Sequence, residues 1–257
     1  MELAPGAAAA GVGLIICETV GSTNFEALAH ARAGEKGPLW ITARAQTAGR
    51  GRRGRTWVSE PGNLYTTLLL VDPAPPERAA ELSFVAALAT HDAIAACAPA
   101  LGSRIAFKWP NDLLLDGAKL AGILIEAEGT RPLMVAVGIG INCRHHPAAT
   151  DFPATDLAAA GAAVAVEDLF KALSMTMLER LRAWEEGFAS IRAAWLARAG
   201  GIGGELTVRL GARDLVGRFE ALDPAGRLVL RLPDGSRETI AAGEVFPVAP
   251  AATGVGR

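Results

Sequence analysis

A change of hydrophobic period near residue 200 limits what this chain can fold into more than any other feature. Val166–Ala199 carries Leu169, Leu173, Met177, Leu178 and Leu181 at roughly helical spacing, which predicts a mostly helical stretch. Four glycines then interrupt the chain, Gly200, Gly201, Gly203 and Gly204, and read as a linker. Beyond them the period becomes that of short strands: Glu205–Leu210, Leu215–Ala221, Arg227–Leu232, Ser236–Ile240 and Val245–Val248. Asp223-Pro224-Ala225-Gly226 and Pro233-Asp234-Gly235 supply turns between them. Five short strands so close together predict a small barrel.

Upstream, strand and helix patterns mix. Leu14–Cys17 suits a strand, and Thr23 with Glu26 forms a capping box for a helix ending near Arg32, with Gly34 as its left-handed stop. Leu39–Ala43 and Leu64–Val71 are strand-like, separated by the polar loop Gln46–Arg55 and the turn Pro61-Gly62-Asn63. Pro75 and Pro76 introduce a helical stretch to about Cys97. Arg104–Trp109 is strand-like, Leu113–Leu115 and Lys119–Ala127 flank the hairpin turn Asp116-Gly117, and Leu133–Asn142 is another apolar β run. Residues 144–165 read as loop.

The chain has 257 residues and a formal net charge of −2, which argues against a nucleic-acid coat or a polybasic membrane binder. No run of about 18 strongly apolar residues occurs, so no membrane span is expected. Met1–Gly13 lacks the basic and Leu-rich regions of a signal peptide and reads as a flexible extension. Cys17, Cys97 and Cys143 are odd in number and far apart, which suits buried thiols in a reduced cytoplasm rather than disulfides or a zinc site. His30, His91, His145 and His146 show no metal-ligand spacing, and the adjacent pair reads as a solvated loop.

Several short segments carry chemistry. Gly49-Arg50-Gly51-Arg52-Arg53-Gly54-Arg55 interleaves four guanidinium groups with glycines that let backbone approach a ligand closely. It suits a phosphate-embracing loop or, more plainly, a solvated or RNA-attracting arginine turn. Its match to G-x-G-x-x-G is accidental, because a strand rather than a helix follows; no P-loop occurs either. Lys108 ends a strand before the turn Pro110-Asn111-Asp112, either facing a cleft or snorkelling at a structural turn. Lys119 opens Lys119-Leu120-Ala121-Gly122-Ile123-Leu124, either reaching the same cleft or standing as a surface hairpin charge. Gly138 and Gly140 share one face of a strand ending at Asn142, a flat ligand wall or tight sheet packing.

In this order, ETVGSTN (Glu18–Asn24), QTAGRGRRGRTW (Gln46–Trp57), KWPND (Lys108–Asp112), KLAGIL (Lys119–Leu124) and VGIGIN (Val137–Asn142) resemble the biotin–protein ligases over roughly residues 14–250. Ala118 departs from the family's usual basic residue or glycine at that place. The resemblance implies an α+β fold, a mixed β-sheet packed with helices of the class II synthetase-like kind, with a small C-terminal SH3-like β-barrel. It divides the chain into an extension (1–13), a catalytic domain (14–200) and the barrel (204–250). It implies activation of biotin by ATP with Mg²⁺, giving biotinyl-5′-AMP. Biotin then passes to a lysine of the biotin carboxyl carrier protein of acetyl-CoA carboxylase or a related carboxylase.

By the same resemblance Lys108, Lys119 and Arg50 are catalytic. Ser22, Thr23, Asn24, Gln46, Arg50, Gly51, Arg52 and Lys119 surround biotin. Arg50, Arg52, Arg53, Trp57, Asn111, Gly138, Gly140 and Asn142 hold the adenylate, and no protein side chain is assigned to a metal. Because the pattern begins near Leu14, the resemblance is to the monofunctional form, without a helix-turn-helix domain or sequence-specific DNA binding. A cytoplasmic location and a homodimer are compatible with it. Two other readings compete. A lipoate- or octanoate-transferring ligase leaves the arginine loop and the barrel without a reason. A non-enzymatic nucleic-acid binder fits poorly with the net charge and the absence of aromatics among the arginines.

Overall fold

The computed structural model describes residues 1–148, 150, 152–211 and 213–247. Val248 and the expected barrel limit at residue 250 lie outside the described residues.

A short helix α1 (Pro5–Ala9) precedes β1 (Gly13–Val20), α2 (Thr23–Arg32), β2 (Leu39–Gln46) and β3 (Leu64–Val71). Helices α3 (Leu82–Cys97) and α4 (Pro99–Gly102) lead into β4 (Ile105–Lys108), β5 (Asp112–Leu115), β6 (Ala118–Glu128) and β7 (Met134–Ile141). These seven strands form one mixed sheet in the order β1-β2-β3-β7-β6-β5-β4, in which only β1 and β2 run parallel. Helix α2 is the crossover that a parallel pair requires. It covers one face, where Ala27 and Leu28 pack on Leu39, Ile41, Leu69 and Ala136.

The other face carries α3 and the long helix α5 (Val166–Glu185). Its core includes Leu88, Ile94, Leu120, Val137, Phe170 and Leu173, all fully buried. With the 3-10 turn before it, α3 spans Pro76–Cys97, long and apolar enough to cross a membrane by composition. Its partners here are the sheet and α5, so its apolar surface is core.

The mostly helical stretch expected over 166–199 consists of two helices: α5 stops before Gly187, whose φ of 138° is open to glycine, and α6 (Phe188–Leu196) follows. The four glycines are not a loose linker. Gly200 N–H donates to Phe107 O at 2.8 Å, and Gly203 N–H donates to Phe219 O at 2.8 Å. Beyond them β8 (Glu205–Arg209), β9 (Asp214–Leu222), β10 (Leu228–Arg231), β11 (Arg237–Ile240) and β12 (Glu244–Pro247) form a small antiparallel sheet, order β11-β10-β9-β8-β12. Trp109 Nε1 donates to Gly226 O at 3.0 Å and joins the two sheets.

Three further expectations need correction. Residues 1–13 contain α1, whose Ala7 is buried and whose preceding Ala4 N–H donates to Ser174 Oγ of α5 at 2.9 Å. Of the three free cysteines only Cys143 is buried, and burial pushes its thiol up to about 12. His145 and His146 are not simply solvated: Asn63 Nδ2 donates to His145 O at 2.9 Å, and His146 Nδ1 lies 2.6 Å from Asp156 Oδ2.

Candidate active site

One transverse row of the large sheet organises the site. Ala43, Tyr65, Gly140, Gly122, Asp112 and Lys108 pair in succession from β2 to β4. At this end of the sheet lies a cavity of about 460 Å³. Ser22–Asn24, Gln46, the arginine loop, Trp57, Lys108–Asp112, Lys119, Gly138, Gly140 and Asn142 line it, joined by Glu244 and Val245 from the small sheet. The structure thus brings together all the site residues implied by the resemblance except Arg53.

The first wall is built from the start of α2. Ser22, not Thr23, is the N-cap residue, and neither side chain caps the helix. Thr23 instead faces Gln46, whose Oε1 accepts the Thr23 N–H at 2.8 Å. Gln46 Nε2 donates to Ser59 Oγ at 2.9 Å, and Ser59 donates to Trp57 O at 2.9 Å. Asn24 is spanned by fixed partners. Its Nδ2 donates to Glu126 Oε2 at 2.8 Å and to Leu124 O at 3.2 Å, while its Oδ1 accepts from Thr67 at 2.7 Å. A Cβ on Gly138 would lie 2.3 Å from Asn24 Oδ1, so the bare strand is what lets Asn24 sit there.

The second wall is a glycine platform. Gly122 and Gly140 are register partners on β6 and β7. The Trp57 ring rests on both, and a Cβ at either position would come within 2.9 Å or 2.7 Å of it. Two residues that leave the sheet bare therefore seat one indole. Its Nε1 is buried without a hydrogen-bond partner, over the Gly140 position.

The third element is a cationic pair around one carboxylate. Lys108 Nζ lies 3.3 Å from Asp112 Oδ2, and Lys119 Nζ lies 2.6 Å from Asp112 Oδ1. Burial opposes the charge of Asp112, but Lys119 and Lys108 outweigh it and hold its carboxyl below the usual carboxylate range. Burial lowers the Lys108 pKa against the pull of Asp112. The Phe152 ring centroid stands 4.4 Å from Lys108 Nζ, and the Lys119 Nζ stands 5.4 Å from the Trp57 ring. Two ammonium groups sharing one counter-charge leave net positive charge for an anion.

The arginine loop closes the fourth side. Arg50 reaches Glu126 at 3.2 Å. Arg52 Nη1 donates to Asn111 Oδ1 and to Gly243 O, both at 3.3 Å, and its burial lowers its pKa. Asn111 in turn donates to Ile123 O at 2.6 Å, which ties the loop to β6. Arg53, at φ 57°, turns outward to Arg209 O and Glu244, and it does not line the cavity. Arg55, the fourth guanidinium of the loop and not among the site residues implied by the resemblance, pairs with Glu244 and lines it instead. Asn142 donates to Thr155 O at 3.0 Å and braces the segment carrying Phe152.

Asp112, Glu126, Arg55, Phe152 and Glu244 were missed as functional candidates. Glu126 was discoverable: it continues the alternation Gly122, Leu124, Glu126 on one face of β6. Glu244 carried no local signal, because its place at the cavity depends on how the small sheet docks.

Comparison with known proteins agrees with this geometry. Residues 19–142 match the biotin/lipoate A/B protein ligase family, and residues 201–246 match the biotin protein ligase C terminal domain. The chain is 45% identical over 240 residues to a biotin–acetyl-CoA-carboxylase ligase of Paracoccus denitrificans, covering 88% of this chain and 96% of that protein. It is 35% identical to a like-named ligase of Mycobacterium tuberculosis, covering 90% and 87% of the two chains. Among solved structures, the biotin protein ligase of Aquifex aeolicus in complex with biotin and ATP superposes with a TM-score of 0.77 at 26% identity, over 91% of this chain and 97% of that one. The Leishmania major ligase in complex with biotinyl-5-AMP superposes at 0.62 and 27%, over 90% and 99%. On these matches, and with its cavity walled by the segments that carried the resemblance, the chain belongs to the biotin protein ligase family.

Proposed function

We propose that this protein activates biotin with ATP and transfers it to a lysine of a biotin carboxyl carrier domain of acetyl-CoA carboxylase or a related carboxylase. The observation that carries the reading is the Lys108–Asp112–Lys119 cluster at the cavity, beside an arginine loop held over it.

In the first step a biotin carboxylate oxygen attacks the α-phosphorus of ATP and pyrophosphate leaves. Both reactants are anions, so their approach costs free energy unless fixed cations offset it. Lys108 and Lys119 supply that charge from a pre-formed pair, and Arg52 lines the same cavity. Lys108, Lys119 and Arg50 are assigned the catalytic roles. Asp112 and Glu126 are engaged by Lys108, Lys119, Asn24 and Arg50, so a Mg²⁺ ion would be held by the ATP phosphates, where it would neutralise their charge. In the second step the carrier lysine, as the free amine, attacks the acyl carbon. The bond from that carbon to the phosphate oxygen breaks, AMP leaves and the attacking nitrogen loses a proton.

Biotin's ureido ring lies by Ser22, Thr23, Asn24 and Gln46; Gly138 makes room for Asn24 and Gly140 seats Trp57, so the two glycines shape the wall beside biotin and the nucleotide. Trp57 and the arginine loop cover the mixed anhydride and exclude water. The arginines of the loop are engaged by Glu126, Asn111 and Glu244, which supports a site role rather than a DNA-binding one. The match at residues 201–246 to the biotin ligase C terminal domain favours biotin over lipoate.

The test is biotin-dependent exchange of pyrophosphate into ATP, followed by transfer to a purified carrier domain. Exchange and transfer with biotin support the reading; exchange driven by lipoate or octanoate and not by biotin overturns it.

A further inference from the structure

The hydrogen bonds around Asn24 run in one direction. Asn24 Nδ2 faces Glu126 Oε2 at 2.8 Å and Leu124 O at 3.2 Å, and both of these only accept. The amide is thereby fixed with Oδ1 toward Thr67. Thr67 Oγ1, 2.7 Å from Oδ1, has one proton and must give it there, because the amide oxygen has none. Thr67 Oγ1 is also 2.8 Å from Thr23 Oγ1. That contact needs a proton, and only Thr23 has one to give. Gln46 Oε1 already accepts the Thr23 backbone N–H at 2.8 Å, and its 3.2 Å approach to the Thr23 hydroxyl is longer than the 2.8 Å between the two threonine oxygens, which would hold no proton if Thr23 donated to Gln46. The order is Thr23 to Thr67 to Asn24 to Glu126. All three donors are buried, at 4%, 0% and 3% exposure, so water does not scramble it. Thr23, which lines the cavity, then has lone pairs left to offer and no proton.

We propose that Glu126 is a positioning residue for substrate recognition: as the terminal acceptor of this chain it makes Thr23 Oγ1 an acceptor toward the cavity, which selects a ligand presenting an N–H there. This rests on the biotin reading, since the ureido ring of biotin offers such N–H groups. Lipoate and simple fatty acids offer none. A glutamine at 126 can donate as well as accept, which allows Asn24 and the two threonines to reverse.

The experiment measures biotin binding by calorimetry for the wild type, Glu126→Gln, Thr67→Val and Thr23→Val, and for the doubles Glu126→Gln/Thr23→Val and Thr67→Val/Thr23→Val. Each single change is expected to weaken biotin about tenfold, and each double to be no weaker than Thr23→Val alone, because one interaction is being removed at different links. A biotin analogue methylated on its ureido nitrogens separates recognition from mere structure: its weak binding should not fall further in Thr67→Val. Thr67→Val also leaves the Arg50 contact of Glu126 untouched, and its pair with Thr23→Val carries the test if Glu126→Gln fails to fold. Additive losses, or biotin affinities within twofold of wild type for Glu126→Gln and Thr67→Val, overturn the proposal while the functional reading stands. A wild type that binds no biotin overturns both.

Discussion

Replacing Gly140 by alanine should open the site without unfolding the protein. The new Cβ would sit 2.7 Å from Trp57 Cε2 and 2.8 Å from Cζ2 and Nε1. Carbon atoms in comfortable contact lie about 3.5–4.0 Å apart, so the indole must retreat by roughly 1 Å. Gly140 is not at a positive φ, so its backbone accepts a side chain without strain and the whole cost falls on the ring. Overpacking of this kind costs about 1–3 kcal/mol. The loop carrying Trp57 can swing away and relieve it, so the thermal midpoint should fall by no more than a few degrees. The closed state keeps the penalty. At about 1.4 kcal/mol per tenfold, biotinyl-adenylate should dissociate roughly 5- to 150-fold faster. Stopped-flow displacement of the adenylate, read beside a melting curve, measures both quantities. An unchanged dissociation rate in a folded Gly140→Ala protein would refute the idea that the platform seats Trp57 as a cover. Gly138→Ala is the contrasting variant, because its Cβ meets Asn24 rather than Trp57 and should weaken biotin binding first.

Lys108→Ala should lower single-turnover adenylate formation by about 10²-fold while biotin affinity changes little, since its charge acts where charge develops; a collapse of affinity with an intact rate would make it a binding residue instead. Arg52→Ala, which removes a guanidinium held by Asn111 and Gly243, should speed adenylate escape by a factor corresponding to about 1.5–3 kcal/mol, and an unchanged off-rate would remove it from the site. Asp112→Asn should destabilise the fold by about 3–5 kcal/mol, because it leaves Lys108 and Lys119 facing each other without a counter-charge. Since the folded pKa of Asp112 is depressed, its stabilisation is full above about pH 4 and disappears as pH falls through the folded value. Denaturant titrations across that range should show a larger acid loss in the wild type than in Asp112→Asn, which keeps only the contribution of other depressed carboxylates such as Asp92 and Asp223. The same variant removes the group that raises the Lys108 pKa, so the alkaline limb of adenylate formation should move to lower pH.

Much of this site was legible in the sequence because its chemistry is local. KWPND and KLAGIL are contiguous runs, and the turn Asp116-Gly117, with φ 48° and 83°, folds them into adjacent strands that bring Lys108, Asp112 and Lys119 together. The two glycines of VGIGIN announced a bare strand, though not that Gly138 admits Asn24 and Gly140 seats Trp57. Thr23 was misjudged because a threonine at a helix start is a good cap in isolation; the nearby Gln46 and Thr67, invisible to local pattern, offered it other partners. Arg53 and Arg55 could not be told apart by spacing, since a left-handed turn at Arg53 and Gly54 decides which one faces the cavity. The break at Gly187 was hidden because the helical spacing of apolar residues, Leu181, Trp184, Phe188 and Ile191, continues across it.

The contacts of the arginine loop with Gly243 and Glu244 set an order of events during synthesis. Ser22 leaves the ribosome some 220 residues before Glu244, which at about 5–20 residues per second is a delay of roughly 10–45 s. During that interval the large sheet can form and the lysine pair can assemble, but the loop has no anchor on its outer side. Among the described residues strand β12 is the last to emerge, and it pairs with β8. A nascent chain therefore holds an open, unlatched pocket until β12 docks, and a reactive anhydride is sheltered only after that.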